Sequence, residues 1–229
     1  MEIDILAIGA HADDIEIGAG GTLLKHQKKG SKIALCDLTL AELSSNGDVI
    51  IRQREAERAR VLMGATERVQ LQLGDRNLYI KNDHICSLVK VIRKLKPKVI
   101  LAPYWEDRHP DHEYCSQLVR EAVFSAGIGK YAPETGGAHK VKSLFYYFIN
   151  DFLEPDFCVD VTEVYDEKME LLKCYESQFL PSDGSVMTPL NTGYFEQIKS
   201  REYLFGRKIN VGFAEGFKTR NPIAIDYMV

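Results

Sequence analysis

"IDILAIGAHADDIEIGAGG", residues 3–21, runs from an apolar, β-branched stretch through a histidine and two adjacent aspartates into a cluster of glycines. That order predicts a strand, a turn carrying ionisable groups and then a helix, the opening of a βαβ unit. The unit repeats. "KIALCDLT" (32–39) and "KVILAPY" (98–104) are also short and apolar, each preceded by a helical pattern, and this alternation specifies a parallel sheet. Ile85, Leu88, Val89, Ile92 and Leu95 recur at helical spacing before Pro97, and Cys115, Leu118, Val119, Ala122 and Ala126 mark another amphipathic helix. Residues 127–137 read as a long loop, "SLFYYFIN" (143–150) and "DFCVDV" (156–161) as strands, and 163–176 and 195–206 as helices. The expectation is one domain over residues 1–229, a Rossmann-like three-layer α/β/α fold with a mainly parallel sheet.

In this frame His11 to Asp14 lie at the carboxyl end of the first strand, the edge where open parallel sheets bind ligands. The glycines do not make a nucleotide cradle. After Gly18 and Gly20 the final position of a G-x-G-x-x-G fingerprint is Leu23, and no Gly-Lys-Ser/Thr follows. They suit a tight turn and close helix packing instead. A second stretch, "EDRHPDHEY" (106–114), follows the strand that ends near Pro103. Pro110 fits the first position of a helix, which makes His109 its N-cap and sets His112 on the same face one turn in. His11, Asp14 and His112 would thus supply two imidazoles and one carboxylate, a ligand set used by zinc sites that keep a position open for water.

Composition limits the partners. With 29 Lys and Arg against 33 Asp and Glu, no broad positive field favours nucleic acid or an anionic membrane. The N-terminus has no basic n-region, and no apolar run approaches the ~18 residues of a membrane span, so a cytoplasmic protein is expected. Five widely spaced cysteines form no CxxC pair, which argues against a disulfide framework and a thiolate metal site.

The two histidine-bearing stretches together resemble the PIG-L (LmbE-like) family of zinc-dependent N-acetylglucosamine deacetylases, whose signatures are A-H-P-D-D-E and H-P-D-H. The resemblance extends to "DLTLAELSSNG" (37–47), "RQREAERARVLMG" (52–64) and "LGDRNL" (73–78), and "SREYLFGRKINVGFAEGF" (200–217) is similar to the bacillithiol-pathway branch. Ala12 stands where the family has proline, Leu40 and Ala41 where it often has arginine and glycine, and Glu16 supplies the motif's final acid after Ile15. The resemblance implies His11, Asp14 and His112 as ligands of one Zn²⁺, or of Fe²⁺ in the cell. It implies Asp13 as general base, His109 as proton donor and oxyanion partner, and Asp111 as the group orienting His109. A helix N-terminus disfavours imidazolium, so Asp111 is expected to raise the His109 pKa.

Arg52, Ala56, Ala59 and Met63 share a sheet-facing stripe, which makes Arg52 the candidate substrate arginine, while Arg54 and Arg58 fall on another face. Glu42 is a weaker candidate for the same pocket. Arg108 could meet an anionic aglycone or pair with Glu106 or Asp107. Tyr194 could lean a mobile hydroxyl over the site, and Trp105 could stack on a sugar ring. The implied activity is removal of an N-acetyl group from a GlcNAc glycoside, N-acetylglucosaminyl malate first, with no nucleic-acid or membrane partner and a homo-oligomer, of hexameric size among relatives. The alternatives are a zinc amidase of thiol conjugates, an antibiotic aminosugar deacetylase, a non-catalytic sugar-binding module, or a two-metal phosphoesterase.

Overall fold

The computed structural model describes residues 2–180 and 182–224; Met1 and the last five residues of the expected 1–229 domain lie outside them. Among the described residues, seven strands form one sheet: β1 (Ile5–Gly9), β2 (Ile33–Asp37), β3 (Glu67–Gln70), β4 (Val99–Pro103), β5 (Ser143–Tyr147), β6 (Phe157–Asp160) and β7 (Ala214–Lys218). Their order is β3-β2-β1-β4-β5-β7-β6. The first five in that order run parallel, and β7 is antiparallel to both β5 and β6.

Helices α1 (Asp14–Lys28), α2 (Val49–Met63), α3 (Asn82–Leu95), α4 (Pro110–Ala126), α5 (Tyr165–Lys173), α6 (Glu176–Phe179) and α7 (Tyr194–Lys208) cover the sheet. The central strands are apolar throughout because both of their faces are buried. Ile5, Ala7, Ile33 and Leu35 point into one cluster with residues of α1, α2 and α5. Leu6, Ile8, Ala34 and Cys36 point into the other, with α3 and α4. This is the expected three-layer α/β/α architecture. Among the described residues, no helix is long and apolar enough to cross a membrane.

Two strands escape the sequence patterns. β3 reads "ERVQ" and lies at the sheet edge with every residue only partly buried, so it carries no apolar run. β7 reads "AEGFK" and buries Glu215, whose carboxylate accepts hydrogen bonds from Gly21 N, Thr22 N and Lys168 Nζ. A buried acid breaks the apolar signature, yet the acid is what joins this strand to α1. The helix expected over 163–176 is divided into a 3₁₀ turn at Thr162–Val164, α5 and α6.

α1 approaches the sheet closely at its glycines. A Cβ on Gly18 would sit 2.1 Å from Tyr147 Cδ2 and 2.8 Å from Phe148 O, and one on Gly21 would sit 2.9 Å from Val161. Gly20 faces α5, with nothing nearer than Lys168 Cγ at 3.5 Å. Gly18→Ala is therefore expected to destabilise the protein by about 1–3 kcal/mol through overpacking, whereas Gly20→Ala leaves stability unchanged or raises it by up to about 1 kcal/mol; urea unfolding of the two variants measures both.

Candidate active site

β1 and β4 lie side by side, and the chain leaves β1 toward β2 on one side and β4 toward β5 on the other. The loops after these strands separate and leave a crevice at their carboxyl ends. A cavity of about 600 Å³ occupies it, lined by His11 and Asp13 from the first loop and Asp14 at the start of α1, His109 from the second loop and His112 in the first turn of α4, and Arg52 from α2. That volume suits a small-molecule ligand.

The two loops interlock through Asp14. His112 Nε2 lies 3.1 Å from Asp14 Oδ1, and His11 Nδ1 lies 3.6 Å from Asp14 Oδ2. The far nitrogen of each ring also meets carboxylate: His11 Nε2 lies 3.4 Å from Asp75 and 3.5 Å from Asp111, and His112 Nδ1 lies 3.0 Å from Asp107. Metal-binding histidines characteristically offer one nitrogen to the metal and give the other to such an orienting acceptor.

Charge fits the same reading. Burial alone pushes the His112 imidazole down, but Asp14 and Asp107 raise it to about 9. His11 is likewise disfavoured as a cation by burial, and Asp111, Asp14 and Asp75 raise it well above its usual value. Burial pushes the Asp14 carboxyl up, while the His112 charge and His11 hold it well below the carboxylate range. A dry cluster of acids thus requires positive charge, and a divalent cation can supply it in place of protons. His109 also reaches this point, forming a compact three-histidine group with His11 and His112.

Asp13 lines the same cavity, with its carboxylate against Arg52 rather than a histidine. It caps α1 with φ 127°, a strained value for a non-glycine residue, and makes no side-chain cap. Its Oδ2 lies 2.9 Å from Arg52 Nη2, a contact not aligned as a hydrogen bond, and Arg52 Nε donates to Ala12 O at 2.8 Å. Burial pushes the Asp13 carboxyl up to about 7 against the pull of Arg52. Arg52 Nη1 is buried without a partner among the described residues.

His109 departs from expectation. Its Nδ1 accepts from the backbone N of Asp111 at 3.2 Å, while the Asp111 carboxylate accepts from Arg76 N at 2.8 Å and Arg76 Nη1 at 3.0 Å and faces His11. Asp111 therefore holds His109 through its peptide, and its carboxylate is committed elsewhere. Burial, reinforced by the charges of His112 and His11, pushes His109 down to about 4 rather than up. With Nδ1 accepting, the neutral ring carries its proton on Nε2.

The remaining candidates divide. Arg108 is exposed, lines the cavity and makes no ion pair with a described residue; Asp107 instead accepts from His109 N and from Asn150 N and Nδ2. Glu42 lies outside the cavity lining, because its carboxylate is taken by the backbone N of Asp75 and Leu40. Tyr194 lines the cavity but is not mobile there, being 2 % exposed with its hydroxyl donating to Ile149 O at 3.0 Å. Trp105 packs against Tyr104 and Tyr146 under Arg220, away from the cavity.

Sequence reasoning assigned no role to Asp75, Arg76 or Asn150 and read Asp107 only as a partner for Arg108. The signal available was that Asp75 and Asp107 both follow strands of the parallel sheet. The outer wall of the cavity comes from Ser44 and Ser45 on one loop and Thr188, Pro189 and Leu190 on another. The two loops are clasped: Asn46 Nδ2 donates to Val186 O at 2.9 Å, and Val186 N to Asn46 Oδ1 at 2.8 Å.

The family model of GlcNAc-PI de-N-acetylases, PIG-L, matches residues 6–123. The chain is 30 % identical over 193 residues to the diacetylchitobiose deacetylase of Thermococcus kodakarensis, spanning 78 % of this chain and 71 % of that one. It is 25 % identical over 191 residues to a probable N-acetyl-α-D-glucosaminyl L-malate deacetylase 2 of Bacillus subtilis, spanning 78 % and 84 %. The crystal structure of a conserved protein from Thermus thermophilus, TT1542, superposes with a TM-score of 0.90 at 30 % identity, covering 99 % of both chains. The motifs, the switch-point site and these relatives agree, and the chain belongs to the PIG-L family.

Proposed function

We propose that this chain is a metal-dependent N-deacetylase that hydrolyses the acetamide of a GlcNAc glycoside, with N-acetylglucosaminyl malate as its substrate. The carrying observation is the pair of imidazoles that each face Asp14 with one nitrogen and a second carboxylate with the other. His11, Asp14 and His112 would hold Zn²⁺, or Fe²⁺ in the cell. The metal supplies a Lewis acid for the carbonyl and lowers the pKa of water from 15.7 to about 7.

Asp13 removes the proton from the attacking water, a task for which a carboxyl with a pKa near 7 is suited. His109, neutral with its proton on Nε2, donates a hydrogen bond to the developing oxyanion. The C–N bond then breaks, and Asp13 returns its proton to the departing amine, giving acetate and the free aminosugar. Arg52 steadies the Asp13 carboxylate and offers its unpartnered Nη1 to the sugar. Arg108, free at the cavity wall, supports an anionic aglycone. The same reading carries a cytoplasmic, homo-oligomeric enzyme.

Asp13→Asn is expected to keep its metal, measured by elemental analysis, and to lose about 10²–10⁴-fold in kcat. The acid limb of the wild-type kcat/KM profile should reflect deprotonation of Asp13. Arg52→Gln removes the charge that lowers this pKa, so the limb should move to higher pH; a change in KM alone would leave Arg52 a sugar contact only. The substrate is tested by assaying free amine from N-acetylglucosaminyl malate, diacetylchitobiose and GlcNAc, with and without chelator. The malate glycoside should be preferred, chelation should abolish turnover, and Arg108→Ala should raise KM about tenfold for that substrate alone. Equal rates on all three would remove malate from the assignment, and chelator-resistant turnover would overturn the metal-dependent mechanism.

A further inference from the structure

Helix α2 buries Arg52, Ala56, Ala59 and Met63 and turns outward a face with apolar residues at both ends and charged residues between them. Ile50 is 63 % exposed and Val61 61 %. Large apolar side chains grouped at both ends of one helix face and left this exposed are characteristic of an interaction site. Ile50, Arg54, Glu57 and Val61 follow one another at spacings of four, three and four residues, which is the seam pattern of a two-helix interface. The pattern reads as its own complement. Ile50 and Val61 lie equally far from its midpoint, as do Arg54 and Glu57, and as do Val49 and Leu62 at its flanks.

We propose that α2 pairs antiparallel with α2 of a second copy of this chain, about a twofold axis between Arg54 and Glu57. An isologous interface requires one patch to be complementary to itself, and this seam satisfies that requirement in charge as well as in shape. Ile50 of each copy packs against Val61 of the other, and Arg54 of each meets Glu57 of the other in two reciprocal ion pairs. Arg54 is exposed and makes no ion pair with any described residue. Glu57 accepts from Arg60 Nε at 2.8 Å and Nη2 at 2.7 Å, and a carboxylate retains lone pairs for a second guanidinium. A parallel arrangement is disfavoured because it would set Arg54 against Arg54. The seam shares no residue with the cavity around His11, so pairing leaves the active site open.

The test is sedimentation velocity of the full-length protein across a concentration series up to roughly 100 µM, where interfaces below standard size still assemble. Arg54→Glu and Glu57→Arg each place like charges across the axis and should weaken the pairing at least about tenfold, with deacetylase activity and Tm retained. The double variant should restore it. An equimolar mixture of the two single variants should also associate, because each then presents the charge that the other lacks. Ile50→Asp should abolish the pairing in every background. A monomeric wild type at the highest concentration would overturn the proposal and leave the face to some other occupant. Single variants that sediment like wild type, or a double variant and mixture that stay dissociated, would overturn it equally.

Discussion

Asp14 is a carboxylate with almost no access to water, and its charge is tolerable only because His11 and His112, 101 positions apart in the chain, both face it. Opposite charge at short range offsets desolvation only when the geometry is held. Everything around the crevice serves that end. Asp75 and Asp111 fix one ring, Asp107 fixes the other, and Arg76 and Asn150 fix those acids in turn. The parallel pairing of β1 with β4 is what delivers the two loops to one place. Without that adjacency these side chains would be ordinary solvated groups.

Behind the crevice lies a second polar assembly, whose members are not among the residues lining the cavity. Arg68 reaches from β3 to make paired bonds with Asp37 and a third with Glu16, which also accepts from the Tyr175 hydroxyl. Burial disfavours the Arg68 cation, and Asp37 and Glu16 more than reverse that, holding it well above its usual range. The assembly ties the edge strand, the end of β2, the first turn of α1 and the segment before α6 into one unit. Glu16 sits in the first turn of α1, directly after Asp13 and Asp14 in the chain, so the assembly anchors the start of that helix, while Arg52 meets Asp13 itself.

Much of this was legible in the sequence, for identifiable reasons. β1, β2 and β4 announce themselves because strands buried on both faces must be apolar throughout, and α3 and α4 because each shows a single apolar stripe. Pro110 after His109 placed the N-cap. What escaped was structure held by polar groups: β3, whose edge position leaves it charged, and β7, whose buried Glu215 is matched by Lys168 and two backbone amides. At the site, residue types disclosed which groups were present but not which way they turn. Asp111 illustrates the difference: its backbone serves His109 and its carboxylate serves His11 and Arg76, a division that spacing alone does not contain.

The clasp between Asn46 and Val186 joins the two loops that close the outer side of the cavity. Its floor is built from strand ends whose atoms are fixed by the sheet. Its outer wall hangs from two loops that are joined at Asn46 and Val186, the first of them also bonded to Asp75 through Leu43 N and Glu42. Substitutions near the clasp itself can therefore reshape what enters the cavity, whereas changes at Leu43 or Glu42 would also shift Asp75 and, through it, His11. Because Asn46 grips the Val186 backbone and not its side chain, the clasp tolerates a different side chain at position 186 but not the loss of the Asn46 amide.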